Sequence, residues 1–405
     1  MNNKRIGVHG ISYPGFYATM AGLSGHPAVR AVSPQAPVTD WYRGDDAHHN
    51  GAFCLADMYD FEYWFQYINT PAFWSGKIGR ENATQIVHRD LYTDYLEKGA
   101  FRNFTAMLGD STDMWQNIIS HPDQDEWWEA HTVTNYVADM KPAVMVVGGL
   151  FDAEDCYGAF ATYKQLRKDA NNCDVFLVEG PWSHGGWGRG ARPFFGHVYF
   201  GPEQASDYYL TQIEYPFFAY YLEGKGEKPA AVRVYDSGSC RWNAYSESWP
   251  VKSDKTPYWL TEDGLLAHQV KKVMRPLTYV SDPARPVSFM GEPTTYRPTE
   301  YMLDDQRFAA TRPDVLVFDS PVLTDTLQLA GEVEAELEVS ISTTDADFIV
   351  KLIDVYPENY KVDGTVSGGM LPKIENALSA VDAGVSRVII TLATAIDGEH
   401  GTVIS

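Results

Sequence analysis

The sequence predicts an α/β domain built on a parallel sheet, interrupted by a helical insertion and followed by an all-β domain. Three observations carry this expectation. Short apolar runs of the kind buried on both faces, such as Ala143 to Gly149, alternate with segments of helical periodicity. Residues 38–140 break that alternation with loosely helical, aromatic-rich text. Beyond Pro229, short alternating segments follow one another between Pro, Gly and Asp turns, with no convincing helix.

Taken in order, Arg5 to Gly10 reads as a buried strand, Tyr13 to Leu23 as a helix rich in small residues, and Val29 to Pro37 as a second apolar run. The insertion carries Trp41, Tyr42, Phe61, Tyr63, Trp64, Phe65, Phe73, Trp74, Trp115, Trp127 and Trp128, broken by Pro71, Gly76 and Gly109. Rings in that pattern suit the packing of a helical cap better than a cofactor box, and some should line a pocket. The sheet resumes with Ala143 to Gly149, a helix over Asp155 to Asp169 and a strand over Asp174 to Glu179. Glu203 to Leu222 is a further amphipathic helix, and Gly224 to Lys228 a polar linker. Then Ala231 to Asp236, Thr256 to Leu260, Val315 to Ser320, Leu327 to Ala330, Glu334 to Ser340 and Phe348 to Val355 read as strands. The expected division is a core of 1–37 with 141–228, a cap of 38–140, and a sandwich of 229–405.

At 405 residues the chain is too long for one compact core. Its 54 acidic against 32 basic side chains leave a net charge of −22, which repels phosphate backbones and anionic lipid. Neither nucleic acid nor a membrane is an expected partner. The apolar run Ala143 to Phe151 is too short to span a bilayer. Cys54, Cys156, Cys173 and Cys240 are scattered without a Cys-x-x-Cys pair, so neither a zinc ribbon nor a disulfide scaffold is predicted. Cys156 reads as a helix residue rather than a nucleophile. No cofactor is expected, and no acidic spacing matches a metal loop. Met1 to Arg5 shows no apolar leader, and the compartment is left open.

Gly10-Ile11-Ser12-Tyr13-Pro14-Gly15 falls at the junction of the first strand and the first helix, a Gly-x-Ser-x-x-Gly variant of the nucleophile turn. A sharp turn there would expose Ser12 Oγ at the carboxyl edge of the sheet; an ordinary serine N-cap is the alternative. A serine nucleophile needs a base, and the base an orienting carboxylate. In the chain order Ser, acid, His, Asp152 follows the strand Ala143 to Gly149. His184 follows the strand Asp174 to Glu179, within Gly180-Pro181-Trp182-Ser183-His184-Gly185-Gly186. His48 and His49 lie in the insertion, and His197 sits among Phe195, Val198 and Tyr199 as a packing residue would.

Gly-Ile-Ser-Tyr-Pro-Gly-Phe-Tyr at 10–17, Gly149-Leu150-Phe151-Asp152, Gly180-Pro181-Trp182-Ser183-His184, Arg312-Pro313-Asp314-Val315 and Asp345-Ala346-Asp347-Phe348 occur in that order. With them the sequence resembles the superfamily of cocaine esterases, α-amino-acid ester hydrolases and X-Pro dipeptidyl-peptidases (CocE/NonD). It is most similar to α-amino-acid ester hydrolases or glutaryl-7-ACA acylase-like members, from residue 5 to about 369. The resemblance implies an α/β-hydrolase sheet, present here in its later strands only, a helical cap and a jelly-roll domain. It also implies serine acyl transfer, with Ser12 attacking, His184 moving the proton, Asp152 holding the imidazole and the Tyr13 N–H facing the oxyanion. Asp46, with Glu154 and Asp155, matches the carboxylate cluster that holds a substrate ammonium in this superfamily; Asp45 could take the role of Asp46. Clustered carboxylates suit a cation, although acidic residues at a helix start are favoured anyway.

The superfamily's second oxyanion donor is a tyrosine hydroxyl well upstream of the nucleophile, and none of the eleven residues before Ser12 is a tyrosine. The chain is therefore expected to lack earlier strands, to expose Arg5 to Gly10 as an edge, and to be weakly active and aggregation-prone. At the other end, Ile389 to Ile396 is expected to stop short of completing a sandwich. The expected partner is a small ester or amide or a short peptide, with homo-oligomerisation left open. X-Pro dipeptidyl-peptidase action, a plain carboxylesterase and a non-catalytic binding module remain as alternatives, as does acyl transfer to an amine.

Overall fold

The computed structural model describes residues 3–68, 90–108, 113–170, 173–190, 193–201, 205–246, 248–250, 255–269, 274–356, 388–390 and 402–404. Phe73, Trp74 and Gly369 of the sequence reading lie outside these, as does most of Ile389 to Ile396.

The core is a six-stranded sheet in the order Ile6–Ile11, Val29–Gln35, Ala143–Gly149, Val175–Gly180, Val232–Asp236, Arg241–Tyr245. Strands β1 (Ile6–Ile11), β2 (Val29–Gln35), β6 (Ala143–Gly149) and β7 (Val175–Gly180) pair in parallel. Parallel pairing needs crossovers, which α1 (Tyr13–Leu23), the insertion and α7 (Cys156–Asp169) supply. Every residue of β6 and β7 is buried, which is why both read as unbroken apolar runs. Val32, Val144, Val146, Leu177 and Val232 from the sheet pack with Ala159, Tyr163 and Leu166 of α7. On its other side β1 has no strand partner among the described residues, and Ile6 is 45% exposed.

The insertion opens on three two-residue strands, β3 (Gly44–Asp45), β4 (His48–His49) and β5 (Ala52–Phe53), before turning helical. Helices α2 (Leu55–Ile68), α3 (Leu91–Lys98), α4 (Phe101–Leu108), α5 (Asp113–Ser120) and α6 (Glu126–His131) follow. They gather Met58, Tyr59, Phe104, Leu108, Trp115, Ile118 and Trp128 into a second apolar core. Among the described residues, Trp41, Tyr42, Phe53, Tyr63, Tyr95 and Trp127 pack against the same core. Asp90 and Asp125 cap α3 and α6, each accepting two backbone N–H groups.

After β7 one long helix, α8, runs over 205–223. It is α-helical at Ala205–Tyr208 and Tyr215–Phe218, with π turns at Tyr209–Glu214 and Ala219–Glu223. Pro216 lacks the N–H that a regular α ladder would use there.

Two expectations need correction. Ala231 to Asp236 was assigned to the sandwich, but β10 (Val232–Asp236) pairs in parallel with β7, and β11 (Arg241–Tyr245) returns antiparallel to it. Alternation marks a strand without saying which sheet it joins, and the core sheet therefore runs past Lys228. Farther on, the described residues hold the hairpin β12 (Trp259–Leu260) with β13 (Leu266–Ala267) and a bridge from Leu265 to Asp319. Leu327 to Ala330, Glu334 to Ser340 and Phe348 to Val355 carry no ladder, and Val322, Ile349 and Val355 are exposed. Alternation fixes which side chains share a face, but a strand forms only against a partner. A second compact unit consists of Phe194–Tyr199 and the chain from Val350. Within it β8 (Phe194–Phe195) pairs with β9 (Val198–Tyr199), and β14 (Val388–Ile390) with β15 (Thr402–Ile404).

Helix α1 can lie close on β2 because residue 15 has no side chain. A Cβ there would stand 2.5 Å from the Gln35 carbonyl oxygen and 3.1 Å from Pro37 Cα, both backbone. Gly15→Ala should therefore push α1 off the sheet and lower stability by about 1–3 kcal/mol in denaturant unfolding. An unchanged midpoint would show that the helix moves freely.

Candidate active site

Three loops at the carboxyl ends of the parallel strands build the site. Ser12 directly follows β1, Asp152 follows β6 and His184 follows β7. Ser12 has φ 67° and ψ −128°, a backbone region natural only to glycine, and its side chain makes no capping hydrogen bond to α1. The N-cap alternative therefore does not hold. The turn is pinned from both ends: Ser12 N–H donates to the Gln35 carbonyl at 2.9 Å, and the Gly15 N–H donates to the Ser12 carbonyl at 2.7 Å. Tyr13, first residue of α1, has an N–H with no acceptor within the helix.

The acid and histidine loops are packed as one piece. Phe151 N–H donates to the Trp182 carbonyl at 3.0 Å, and a Cβ on Gly149 would sit 2.3 Å from that oxygen. Asp152 is buried; its Oδ1 accepts the N–H groups of Glu154 and Asp155, which starts α7, and its Oδ2 lies 2.9 Å from His184 Nδ1. The glycines after His184 rest on Ile11, the neighbour of Ser12: Cβ atoms at Gly185 and Gly188 would lie 3.3 and 3.2 Å from its side chain. The Trp187 indole N–H donates to Gln35 Oε1 at 2.7 Å. The Gln35 amide reaches Ser33, Tyr209 and Glu214 in turn. Gln35 thus braces the serine turn and the histidine loop together. Sequence reasoning missed it; a lone polar residue ending a buried strand was the available signal.

The imidazole is set among carboxylates. His184 Nε2 is 3.4 Å from Glu154 Oε2, Nδ1 is 3.7 Å from Asp155 Oδ2, and no hydrogen bond joins the ring to Ser12 among the described residues. Burial lowers the His184 pKa, but the Asp152 hydrogen bond and the charges of Asp152, Glu154 and Asp46 outweigh it, so the net shift is upward. Asp46 sits in the β3–β4 turn. That hairpin reaches the start of α7 because Gly44 lies flat on the Tyr157 ring. Asp46 is pushed up to about 7, first by burial and then by Glu154, and its Oδ1 is buried without a hydrogen-bond partner. Asp57 of α2 is raised by burial, with Arg297 pulling it back. Arg297 closes the cluster, with Nε 2.6 Å from Asp57 Oδ1 and an Nη 3.0 Å from Glu154 Oε1. Neither Asp57 nor Arg297 was singled out from the sequence, because no local pattern marks a pairing across 240 residues. Glu154, Asp155 and His184 thus converge, with one side-chain oxygen or nitrogen atom of each within 4.8 Å of the others.

The structure therefore brings together Asp46, Asp152, Glu154, Asp155 and His184, with the histidine loop against the Ser12 turn. Residues 1–186 match the X-Pro dipeptidyl-peptidase (S15) family, and residues 223–395 match the X-Pro dipeptidyl-peptidase C-terminal non-catalytic domain. The chain belongs to the CocE/NonD and X-Pro dipeptidyl-peptidase superfamily. Cocaine esterase of Rhodococcus sp. (strain MB1 Bresler) is 28% identical over 394 residues, covering 89% of this chain and 65% of the esterase. Among solved structures, an aminopeptidase from a marine sediment Thaumarchaeota archaeon matches with TM-score 0.67 and 30% identity. That match covers 78% of this chain and 52% of the aminopeptidase. An α-amino acid ester hydrolase matches with TM-score 0.70 and 29% identity, over 81% of this chain and 54% of the hydrolase. The chain thus spans between half and two thirds of these superfamily relatives. The C-terminal match runs to residue 395, beyond the limit near Gly369 read from the sequence. A separate, shorter likeness is to acetylglutamate kinase of Phocaeicola vulgatus, 51% over 63 residues, covering 15% of this chain and 24% of the kinase.

Two measurements test this geometry. Ser12→Gly should unfold at or above the wild-type temperature, because it releases backbone strain of about 1–3 kcal/mol against a smaller entropic loss; a clearly lower midpoint would mean the turn is unstrained. Glu179 at the end of β7 is fully buried, its carboxylate oxygens lack hydrogen-bond partners among the described residues, and burial followed by the Asp152 charge raises its pKa well above the ordinary value. A raised acid favours the fold below its unfolded pKa and loses that contribution as pH rises toward the folded one. The thermal midpoint of Glu179→Gln should therefore fall less between pH 5 and about 9 than that of the wild type. Parallel curves would count against a buried neutral acid.

Proposed function

We propose that this chain is the serine hydrolase part of an enzyme acting on esters or amides of α-amino acyl groups. The observation that carries the proposal is the glycine-like backbone of Ser12 at a strand-to-helix turn beside a carboxylate-held histidine. Ser12 Oγ attacks the acyl carbonyl while its proton passes to His184 Nε2. The Tyr13 N–H donates to the oxyanion, His184 returns the proton to the leaving alcohol or amine, and water repeats the sequence to release the acid. Asp152 holds Nδ1–H and stabilises the imidazolium. Ser12 and His184 must close up for this, as catalytic hydrogen bonds often do only with substrate bound.

The acyl preference follows from charge. Asp46, Asp57, Asp152, Glu154 and Asp155 face one guanidinium and one imidazole, and Asp46 is pushed up to about 7, first by burial and then by the Glu154 charge. A substrate ammonium among Asp46, Glu154 and Asp155 would offset this negative charge and draw Glu154 away from Nε2. The S15 family match favours X-Pro dipeptidyl-peptidase action as a second reading, which would use the same anchor. The kinase likeness covers too little of that enzyme to carry its activity.

Ser12→Ala and His184→Ala should each abolish p-nitrophenyl ester turnover and labelling by a fluorophosphonate while leaving the fold intact; labelling that survives Ser12→Ala would remove the serine from the mechanism. Esters of amino acids with a free α-ammonium should be turned over about ten- to a hundredfold faster, in kcat/KM, than their N-acetyl forms. Asp46→Asn should erode that ratio more than it slows neutral esters. Equal rates on both substrates would leave a plain carboxylesterase.

A further inference from the structure

Arg297 lies within the stretch matched by the C-terminal non-catalytic domain, yet its side chain stands inside the carboxylate cluster. We infer that Arg297 is a positioning residue of the site, holding Glu154 in place and offsetting its charge in front of His184. The inference takes the role of His184 from the hydrolase reading above.

The guanidinium is built in. Its side chain is 17% exposed, it bridges Asp57 of α2 and Glu154 at the start of the acid loop's helix, and it stacks 5.6 Å from the Tyr301 ring centre. The backbone that carries it is tied to the cap: Leu91 N–H donates to the Thr294 carbonyl at 2.7 Å, and the Tyr92 hydroxyl to the Pro286 carbonyl at 2.9 Å. A planar donor fork fixed in this way sets the direction of the carboxylate it binds. Glu154 is consequently held between Arg297 on Oε1 and His184 Nε2 on Oε2. A residue from the C-terminal region thus decides how much negative charge the histidine meets.

The groups facing His184 are Asp152, Glu154 and Asp155 from the acid loop and Asp46 from the β3–β4 turn, with Arg189 exposed farther along its own loop. All the near charges are negative, and Arg297 is the cation that balances Glu154. Without it, Glu154 presents an uncompensated charge 3.4 Å from Nε2 and favours the imidazolium. The base would then be blocked up to a higher pH.

The test is a titration of the His184 ring by NMR in the full chain, assigned as the signal lost in His184→Asn; it needs no turnover, so it can fail independently of the hydrolase reading. Arg297→Gln should raise the His184 midpoint by about one unit, and Arg297→Lys, which keeps the charge, should restore most of it. In a Glu154→Gln background, replacing Arg297 should move the midpoint little. Any ester turnover should show the acid limb of kcat/KM shifted by the same amount. If Arg297→Gln does not fold, the pair Arg297→Gln with Asp57→Asn, which removes charge on both sides, takes its place with the same expectation. A His184 midpoint that stays within about 0.3 units in the folded glutamine variant, or a lysine variant shifted as far as glutamine, would overturn the inference.

Discussion

The bond from the Ser12 N–H to the Gln35 carbonyl is the constraint on which the rest of this site depends. It forces a non-glycine residue into a backbone region that costs about 1–3 kcal/mol, and the surrounding structure must hold it there. Gln35 does so twice. Its carbonyl stands where a side chain on residue 15 would go, and its amide ties β2 to Trp187 of the histidine loop and to Tyr209 and Glu214 of α8. A single polar residue at the end of a buried strand thereby couples the Ser12 turn to the loop that carries His184.

Charge imposes the second constraint. A buried imidazole would ordinarily lose its proton readily, but here the surrounding carboxylates reverse that tendency. Burial, and after it the charge of Glu154, raises Asp46 and Asp57, and Asp46 Oδ1 has no hydrogen-bond partner among the described residues. Such a cluster is stable only with cations in it, and Arg297 supplies one from far along the chain. The hairpin bearing Asp46, the helix bearing Asp57, the acid loop and the C-terminal segment therefore meet for an electrostatic reason as well as a packing one.

The strands of the core sheet that carry the site differ in kind. Strands β6 and β7 are covered on both faces and stiffen the acid and histidine loops. Strand β1 carries the serine, but one of its sides faces no strand among the described residues. The Ser12 turn then rests on β2, α1 and α8, and His9 of β1 reaches Glu214 of α8 at 3.2 Å. That contact leads back to Gln35 through the shared Glu214 carboxylate.

Local chemistry determined a large part of this protein. Glycines around Ser12, a Val-rich run before Asp152 and an apolar run before His184 encode strands followed by loops, because burial on two faces and tight turns each demand particular residues at short range. The helical, aromatic-rich stretch between β2 and β6 was legible for the same reason. Tertiary structure alone decided which sheet Val232 to Asp236 would join, since alternation does not name a neighbour. It also decided that Gln35 would link two loops, that Glu179 would be buried without partners, and that Arg297 would pair with Asp57 and Glu154. Those outcomes depend on distances between residues far apart in sequence, and no local pattern of residue types carries that information.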